Sequence, residues 1–287
     1  MKTSEGLFDE SVVYVTTQGT QIRTKDGRIV VFDPSAEDDE DPELASYPTK
    51  KIDTINAFGG INFTTPFLAS ANEYEITLNY FSKYGKYRGS FIPEKNTIAE
   101  IRRAQYALMN REELDIAKAM IAAKIRNART LLSRKGVTGT DVLKDLGVRA
   151  MNVTNKDDLR GTEGEAAERY FARLDETLVD GWTFEKRTKR PPEDHINSLL
   201  SLTYVMMKNE VMGALRQFNL DPFLGVFHTD RHGRPSLALD LQEEFRPIFC
   251  DALVTRLVNR GTITHDDFKK DNRLANDGYK TFLSKFD

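Results

Sequence analysis

The chain holds one cysteine in 287 residues, Cys250, which excludes an intramolecular disulfide framework and suits a reducing compartment. Its setting, Ile248-Phe249-Cys250, is that of a small core residue and not of a nucleophile. No apolar run approaches the roughly 20 residues that a membrane span needs. Residues 1–6 run straight into acidic positions, so no signal peptide is expected and the expected location is the cytoplasm. A dominant charge is missing as well: 41 Lys and Arg against 44 Asp and Glu leave a formal net charge of −3. The chain as a whole therefore does not advertise a polyanionic partner, although local patches can still bind one.

What is present divides near Pro93. Before it the texture is that of strands: SVVYVT at 11–16, then IRTKDGRIVVF at 22–32, in which Asp26-Gly27 is a strong hairpin signal. The segment 34–48, with the acidic run 37–41, reads as a solvated loop. Residues 52–63 resume the β pattern, and Thr64-Thr65-Pro66 reads as a helix start. Another strand with its turn follows over 75–87. The reading is α+β: a small N-terminal β domain with one helix at 1–92, followed by a larger, mostly helical domain at 93–287. In the second part, REELDIAKAMIAAKIRNARTLLSRKG from Arg111 sets Leu114, Ala117, Ile121, Ile125, Ala128 and Leu132 at helical spacing, with Gly136 as the stop. Lys118, Lys124, Arg126, Arg129, Arg134 and Lys135 fall on its other faces. They make either the solvated side of a core helix or a surface for a polyanion backbone.

The stretch 225–247, GVFHTDRHGRPSLALDLQEEFRP, carries the inventory of a divalent-metal site. Gly233 and Pro235 write a tight turn, and His228 lies just before it. Ser236 is expected to cap a helix on which Asp240 and Glu243 share one face, with Ala238, Leu241 and Phe245 as the apolar stripe. Pro247 is expected to end or kink that helix. The alternative is a solvated face whose acids pair with Arg246. A further carboxylate comes from 158–179. A helix from about Thr162 would bury Ala167, Tyr170, Phe171, Leu174 and Leu178, and one turn before Ala167 stands Glu163. A carboxylate on a buried stripe has to be paired, protonated or metal-bound, because leaving it unpaired costs several kcal/mol. Gly161 and Gly164 beside it leave room for a ligand, and a buried Glu–Arg pair is the structural alternative.

GTEGEAAERYF at 161–171, RPPEDHINSLLSLTY at 190–204 and the stretch at 225–247 resemble, in order and spacing, the motif set of the CRISPR-associated integrase and endonuclease of spacer acquisition, the "Cas one" family. AKAMIAAKIRNARTLL at 117–132 and FGGINFTTPFL at 58–68 are also similar to family segments, so the resemblance covers most of the chain. It implies a β domain that supports dimerisation, a helical domain that holds the metal site, double-stranded DNA as substrate, and a homodimer joined to the small ferredoxin-like partner "Cas two". The family's metal ligands carry over onto Glu163, His228 and Glu243, with Asp240 as an accessory catalytic acid. Gln242 departs from the pattern, because an apolar residue is commoner there, and His195 follows Asp194 in the proline-rich stretch.

Two carboxylates and an imidazole form a hard donor set suited to Mg²⁺ or Mn²⁺ and not to structural zinc. Such an ion polarises a phosphodiester oxygen and lowers the pKa of a bound water or a DNA 3′-hydroxyl. Water as nucleophile gives cutting, and a 3′-hydroxyl gives strand transfer. The resemblance favours strand transfer, in which the ends of a short duplex attack the repeat boundaries of a CRISPR array. As a neutral ligand, His228 implies activity that falls below about pH 6. Two other readings use the same residues: a repair nuclease on branched DNA, and a DNA-binding subunit with an idle centre. Among the remaining candidates, His232 reads as surface polar, His195 and His265 as helix-start residues, and Lys186, Arg187, Lys189 and Arg190 as a cluster able to meet phosphates. Trp182 and Tyr170 read as core.

Overall fold

The β-branched runs of the first part do form strands, and the first hairpin is set by its turn. Asp26 and Gly27 both take positive φ, 51° and 71°, the pairing that joins tightly twisted antiparallel strands. A computed structural model describes residues 12–36, 42–83, 87–93, 99–189, 191–229 and 231–286, less the side chains of 109–112 and 217. The acidic run 37–41, the turn residues 84–86 and Arg190 lie outside the described residues. The chain divides into two compact units, one of Met1–Ala99 with Arg216–Asn219, the other of Glu100–Leu215 with Leu220–Asp287.

In the first unit β1 (Val12–Val15), β2 (Gln21–Lys25), β3 (Arg28–Phe32), β4 (Glu43–Pro48), β5 (Thr54–Phe58), β6 (Asn62–Phe63), β7 (Thr77–Phe81) and β8 (Tyr87–Phe91) build two four-stranded sheets, ordered β1-β5-β7-β8 and β4-β3-β2-β6. The strands β1, β5 and β7 run parallel. The helix α1 (Thr65–Glu73) lies between β5 and β7 in the chain, and its start is as expected: Thr64 Oγ1 accepts the Phe67 N–H and Pro66 stands in the first turn. Ile22, Ile29, Ile55, Phe67 and Ile76 are fully buried in the core. One expectation is corrected here. The second half of the segment read as a loop at 34–48 is β4, paired antiparallel with β3; its polar composition misled because β4 is a sheet-edge strand, paired on one side alone.

The second unit is helical: α2 (Ala99–Arg134), α3 (Asp141–Asn152), α4 (Lys156–Phe171), α5 (His195–Gln217), α6 (Ser236–Phe245), α7 (Ala252–Asn259) and α8 (Asn276–Phe286). The chain is thus α+β, with strands first and a larger helical part after them. The apolar positions of α2 behave as expected, Ala117, Ile121, Ile125, Ala128 and Leu132 being buried, although the helix begins well before Arg111. Gly136, at φ 82°, ends it, and the Val137 N–H closes back on the Leu132 carbonyl at 3.0 Å, the left-handed cap that glycine adopts without strain.

Two helices depart from the expected register. The α4 helix starts at Lys156 and not at Thr162, because Asn155 accepts the Asp158 N–H and caps it there. Its buried stripe is therefore Leu159, Thr162, Ala166 and Tyr170, while Ala167 and Phe171 are half-buried and Leu178 lies past its end. The α6 helix is not capped by Ser236. Pro235 is its N-cap, and the Pro222 carbonyl receives the Leu237 and Ala238 N–H groups at 3.0 and 3.3 Å. Pro247 does not end the helix either: Arg246–Asp251 form a π-helical turn that runs into α7, which lets the chain absorb the missing proline N–H without a break.

Candidate active site

The inner face of α6 is polar. Asp240 and Glu243 are buried along with Leu237 and Ala238, while Phe245, expected in the apolar stripe, is 43% exposed. Burying acids in place of an available phenylalanine costs free energy unless each charge is met, and here each is.

Asp240 is saturated. Its Oδ2 accepts the N–H groups of Val226 and Phe227 at 2.6 and 3.0 Å, and its Oδ1 accepts the His228 N–H at 2.9 Å and His228 Nδ1 at 2.6 Å. With three backbone donors already on it, Asp240 acts as acceptor toward the imidazole. His228 Nδ1 therefore carries the proton, and the lone pair sits on Nε2. A carboxylate that orients a histidine in this way fixes its tautomer for metal binding at the other nitrogen. Asp240, expected as an accessory acid, folds the 226–228 segment and aims His228. The segment is also held from α4, where Arg160 Nη2 reaches the Phe227 carbonyl and Thr229 Oγ1, each at 3.4 Å. At Gly225 an added Cβ would stand 2.5 Å from Ser236 Cβ and 3.0 Å from Asp240 Oδ2, so the loop approaches α6 too closely for any side chain. The turn that follows is as expected, with Gly233 at φ 69°, and His232 is exposed.

Glu243 is 3% exposed and meets two cations: Arg246 Nη1 lies 2.7 Å from Oε1 and Lys124 Nζ lies 2.6 Å from Oε2. Burial alone would raise its pKa. The charges of Arg246 and Lys124 outweigh that and hold it at about 2. The Lys124 ammonium also donates to Glu163 Oε1 in a short contact, so Glu163 and Glu243 converge on one cation. Burial opposes the charged form of Lys124, and Glu243 and Glu163 together raise its pKa. Two expectations change here. Glu163 is not deep in the core but at its rim, 23% exposed, and its partner is a lysine, not an arginine. Lys124, read as part of the outer basic face of α2, is 15% exposed and points into the site. An added Cβ at Gly161 or Gly164 would meet nothing within 4 Å, so the space beside Glu163 is open.

Behind the carboxylates lies a cavity of about 70 Å³ lined by Lys124, Arg187, Lys189, Arg246, Tyr170 and Tyr204, with Asp251 at its base. Asp251 accepts both tyrosine hydroxyls, Tyr204 at 2.6 Å and Tyr170 at 2.7 Å. Burial raises its pKa to about 6 against these hydrogen bonds. Tyr170 is thus core, as expected, and its hydroxyl is satisfied. Trp182 is only half-buried and stacks on His265 at 4.0 Å between ring centroids. His265 and His195 pair through their Nδ1 atoms at 2.9 Å, so both serve a clasp between the start of α5 and the 3₁₀ turn His265–Asp267. In the basic cluster, Lys186 and Lys189 are exposed. Arg187 is not available to phosphates, since it donates to Asn197 Oδ1 at 2.8 Å and Ser201 Oγ at 3.0 Å. Gln242, the departure from the family pattern, is buried because its Nε2 donates to the Tyr204 carbonyl at 2.5 Å. Sequence reasoning missed the Tyr170–Asp251–Tyr204 network and Lys124. Helical spacing from Glu163 gives no signal for either, since both depend on how α2, α4, α5 and the π turn pack.

Among the described residues, no three His, Cys, Asp or Glu side chains converge closely enough to hold a metal ion as they stand. The donor chemistry nonetheless fits a hard divalent ion. Glu243 Oε2 is buried without a hydrogen bond and faces only the ammonium, Glu163 offers a second oxygen to the same cation, and His228 is oriented with Nε2 available.

The model of the family described as CRISPR associated protein Cas1 matches residues 13–287. The chain is 47% identical over 282 residues to the CRISPR-associated endonuclease Cas1 4 of Methanospirillum hungatei, covering 98% of this chain and 80% of that protein. Its fold superposes on a Cas1 protein from Thermotoga maritima with a TM-score of 0.82 at 26% identity, over 96% and 89% of the two chains. The fold is also that of a casposase bound to integration product, with a TM-score of 0.80 at 22% identity, over 96% and 81%. A family model that matches residues 13–287 and a relative 47% identical over 98% of the chain have a single meaning: this protein belongs to the Cas1 family of CRISPR-associated proteins.

Proposed function

We propose that this chain is a metal-dependent DNA endonuclease and integrase that inserts short duplexes into a CRISPR array by transesterification, with Glu163, Glu243 and His228 Nε2 as the ligands of Mg²⁺ or Mn²⁺. The observation that carries the reading is the convergence of Glu163 and Glu243 on one cation, beside a histidine aimed by a saturated Asp240. Bound there, a divalent ion supplies charge for the phosphodiester oxygens and acidifies the attacking hydroxyl. The chain's own residues do the rest. Arg246 holds Glu243 ionised and fixed from the far side. Asp240 keeps the proton on His228 Nδ1, so Nε2 presents a lone pair. The exposed Lys189 at the cavity mouth offers a positive charge to a DNA phosphate.

The name of the Methanospirillum relative, an endonuclease, and the integration product held by the casposase support DNA strand chemistry as the class of reaction. By the same reading the chain acts as a homodimer with the small ferredoxin-like partner, in the cytoplasm. No helix among the described residues is long and apolar enough to cross a membrane.

Half-site integration of a labelled duplex into a repeat-containing plasmid with Mn²⁺ and the partner tests this. Joined product from the wild type, and none from Glu163→Ala or Glu243→Ala, is the expected result. Nicking without joining would point to the branched-DNA nuclease, and joining that survives both substitutions would sink the ligand assignment.

A further inference from the structure

The cation that joins Glu163 to Glu243 is the protein's own. Lys124 Nζ lies 2.6 Å from Glu243 Oε2, donates to Glu163 Oε1, and is the one polar group among the described residues that meets that Glu243 oxygen. A divalent ion held by the same two oxygens needs the position of this ammonium. Two cations a few ångströms apart in a poorly solvated site repel too strongly to share it.

Resting on the reading that Glu163 and Glu243 are metal ligands, we propose that Lys124 is a built-in competitor for the metal, one that couples metal binding to DNA binding. Without a divalent ion its ammonium bridges the two carboxylates and meets Glu243 Oε2, while Arg246 meets Oε1. When a divalent ion takes the pair, the flexible lysine stem retracts its charge toward the adjoining cavity, whose wall already carries Arg187, Lys189 and Arg246. The acids of that wall are Glu163 itself and Asp251, and the charge of Asp251 is already faced by Arg246 and Arg187. The displaced charge therefore lacks a counter-ion until an anion arrives, and the anion that this chemistry supplies is a DNA phosphate. Metal alone then binds weakly, DNA tightens it, and the metal tightens DNA by the same factor, as linkage requires.

Calorimetric titration of Mn²⁺ into the full chain, with and without a duplex whose 3′ ends are dideoxy and so carry no nucleophile, reads this directly. We expect Lys124→Met to bind Mn²⁺ more tightly than wild type in the absence of DNA, by about 5- to 150-fold, and the duplex to add little further. Lys189→Met removes the same charge from the cavity wall without freeing the carboxylates, so it should change Mn²⁺ affinity clearly less. In EDTA, Lys124→Met should melt earlier than wild type and recover more on adding Mn²⁺. Lys124→Gln, which keeps a donor for one carboxylate, carries the same test if the methionine variant does not fold. A lysine with only a structural role predicts the opposite sign, weaker metal binding on its removal. Equal or weaker Mn²⁺ binding in both variants would overturn the role of Lys124 and leave the metal site standing. A wild type that binds no Mn²⁺, with Glu243→Gln equally silent, would overturn both.

Discussion

Asp240 Oδ1 lies 2.6 Å from His228 Nδ1 while the same carboxylate gathers the backbone N–H groups of Val226, Phe227 and His228. One side chain therefore shapes a loop and sets a tautomer. Asp240→Asn keeps the volume but replaces an acceptor with a donor on one side, so the loop loosens and His228 is free to turn. Metal affinity and activity should fall about 10- to 100-fold, the usual cost of losing such an orienting partner. Mn²⁺ titration of the variant checks it, and unchanged affinity would mean that His228 is aimed by something else.

The two glutamates should separate stability from activity. Glu243→Gln leaves Arg246 and Lys124 in a buried site with their shared anion gone, a loss of about 3–5 kcal/mol. Glu163→Gln removes an anion from the rim, where Lys124 keeps Glu243, and should cost no more than about 1 kcal/mol. Urea unfolding measures the difference, and strand joining should vanish in both. Equal destabilisation would show that Glu163 supports the core as much as Glu243 does.

Stability should carry a signature of Asp251. Its folded pKa is pushed up to about 6 by burial, above the ordinary 3.8. The fold therefore favours the protonated form, and that contribution is full below about pH 4 and lost as the pH rises through 6. The loss amounts to at most about 3 kcal/mol. Glu243 works in the other direction: held at about 2 against an ordinary 4.5, it contributes stability above pH 4.5 that is lost as the pH falls toward 2. Urea midpoints of wild type and Asp251→Asn between pH 4 and 7 isolate the first effect. The wild-type advantage should shrink with rising pH, and a flat difference would refute the burial argument.

Glycines of two kinds should respond with opposite signs. Gly225→Ala forces a Cβ against Ser236 and Asp240, an overpacking cost of about 1–3 kcal/mol. Gly161→Ala and Gly164→Ala meet open space on α4 and should each stabilise the free chain by about 1 kcal/mol, the helix propensity gained. If those two glycines are there to let DNA approach Glu163, the same alanines lower strand joining while raising the melting temperature. Joining at the wild-type rate would show that the open space is not used.

Local chemistry was legible from the sequence where it acts over a few residues. The Asp26-Gly27 hairpin, the Thr64-Pro66 helix start and the Gly136 stop were all readable because φ preference and capping are properties of neighbours in the chain. Register was less so. The Asn155 cap moved the start of α4, the Pro222 carbonyl displaced Ser236 as the cap of α6, and the π turn carried the helix through Pro247, each through a partner that spacing alone does not show.

By itself the sequence determined the α+β order, the motifs at 161–171 and 225–247, and which residue types stand in them. Those follow from residue chemistry and short-range periodicity. The tertiary structure alone decided that Asp240 serves His228, that Lys124 turns inward from a basic face to bridge Glu163 and Glu243, and that Asp251 binds two tyrosines. The first is a return of α6 onto the loop twelve residues before it, and the others join elements distant in sequence. The physical reason is that a buried charge must find its partner wherever packing places one, and packing is settled across the whole helical unit and not along any single helix.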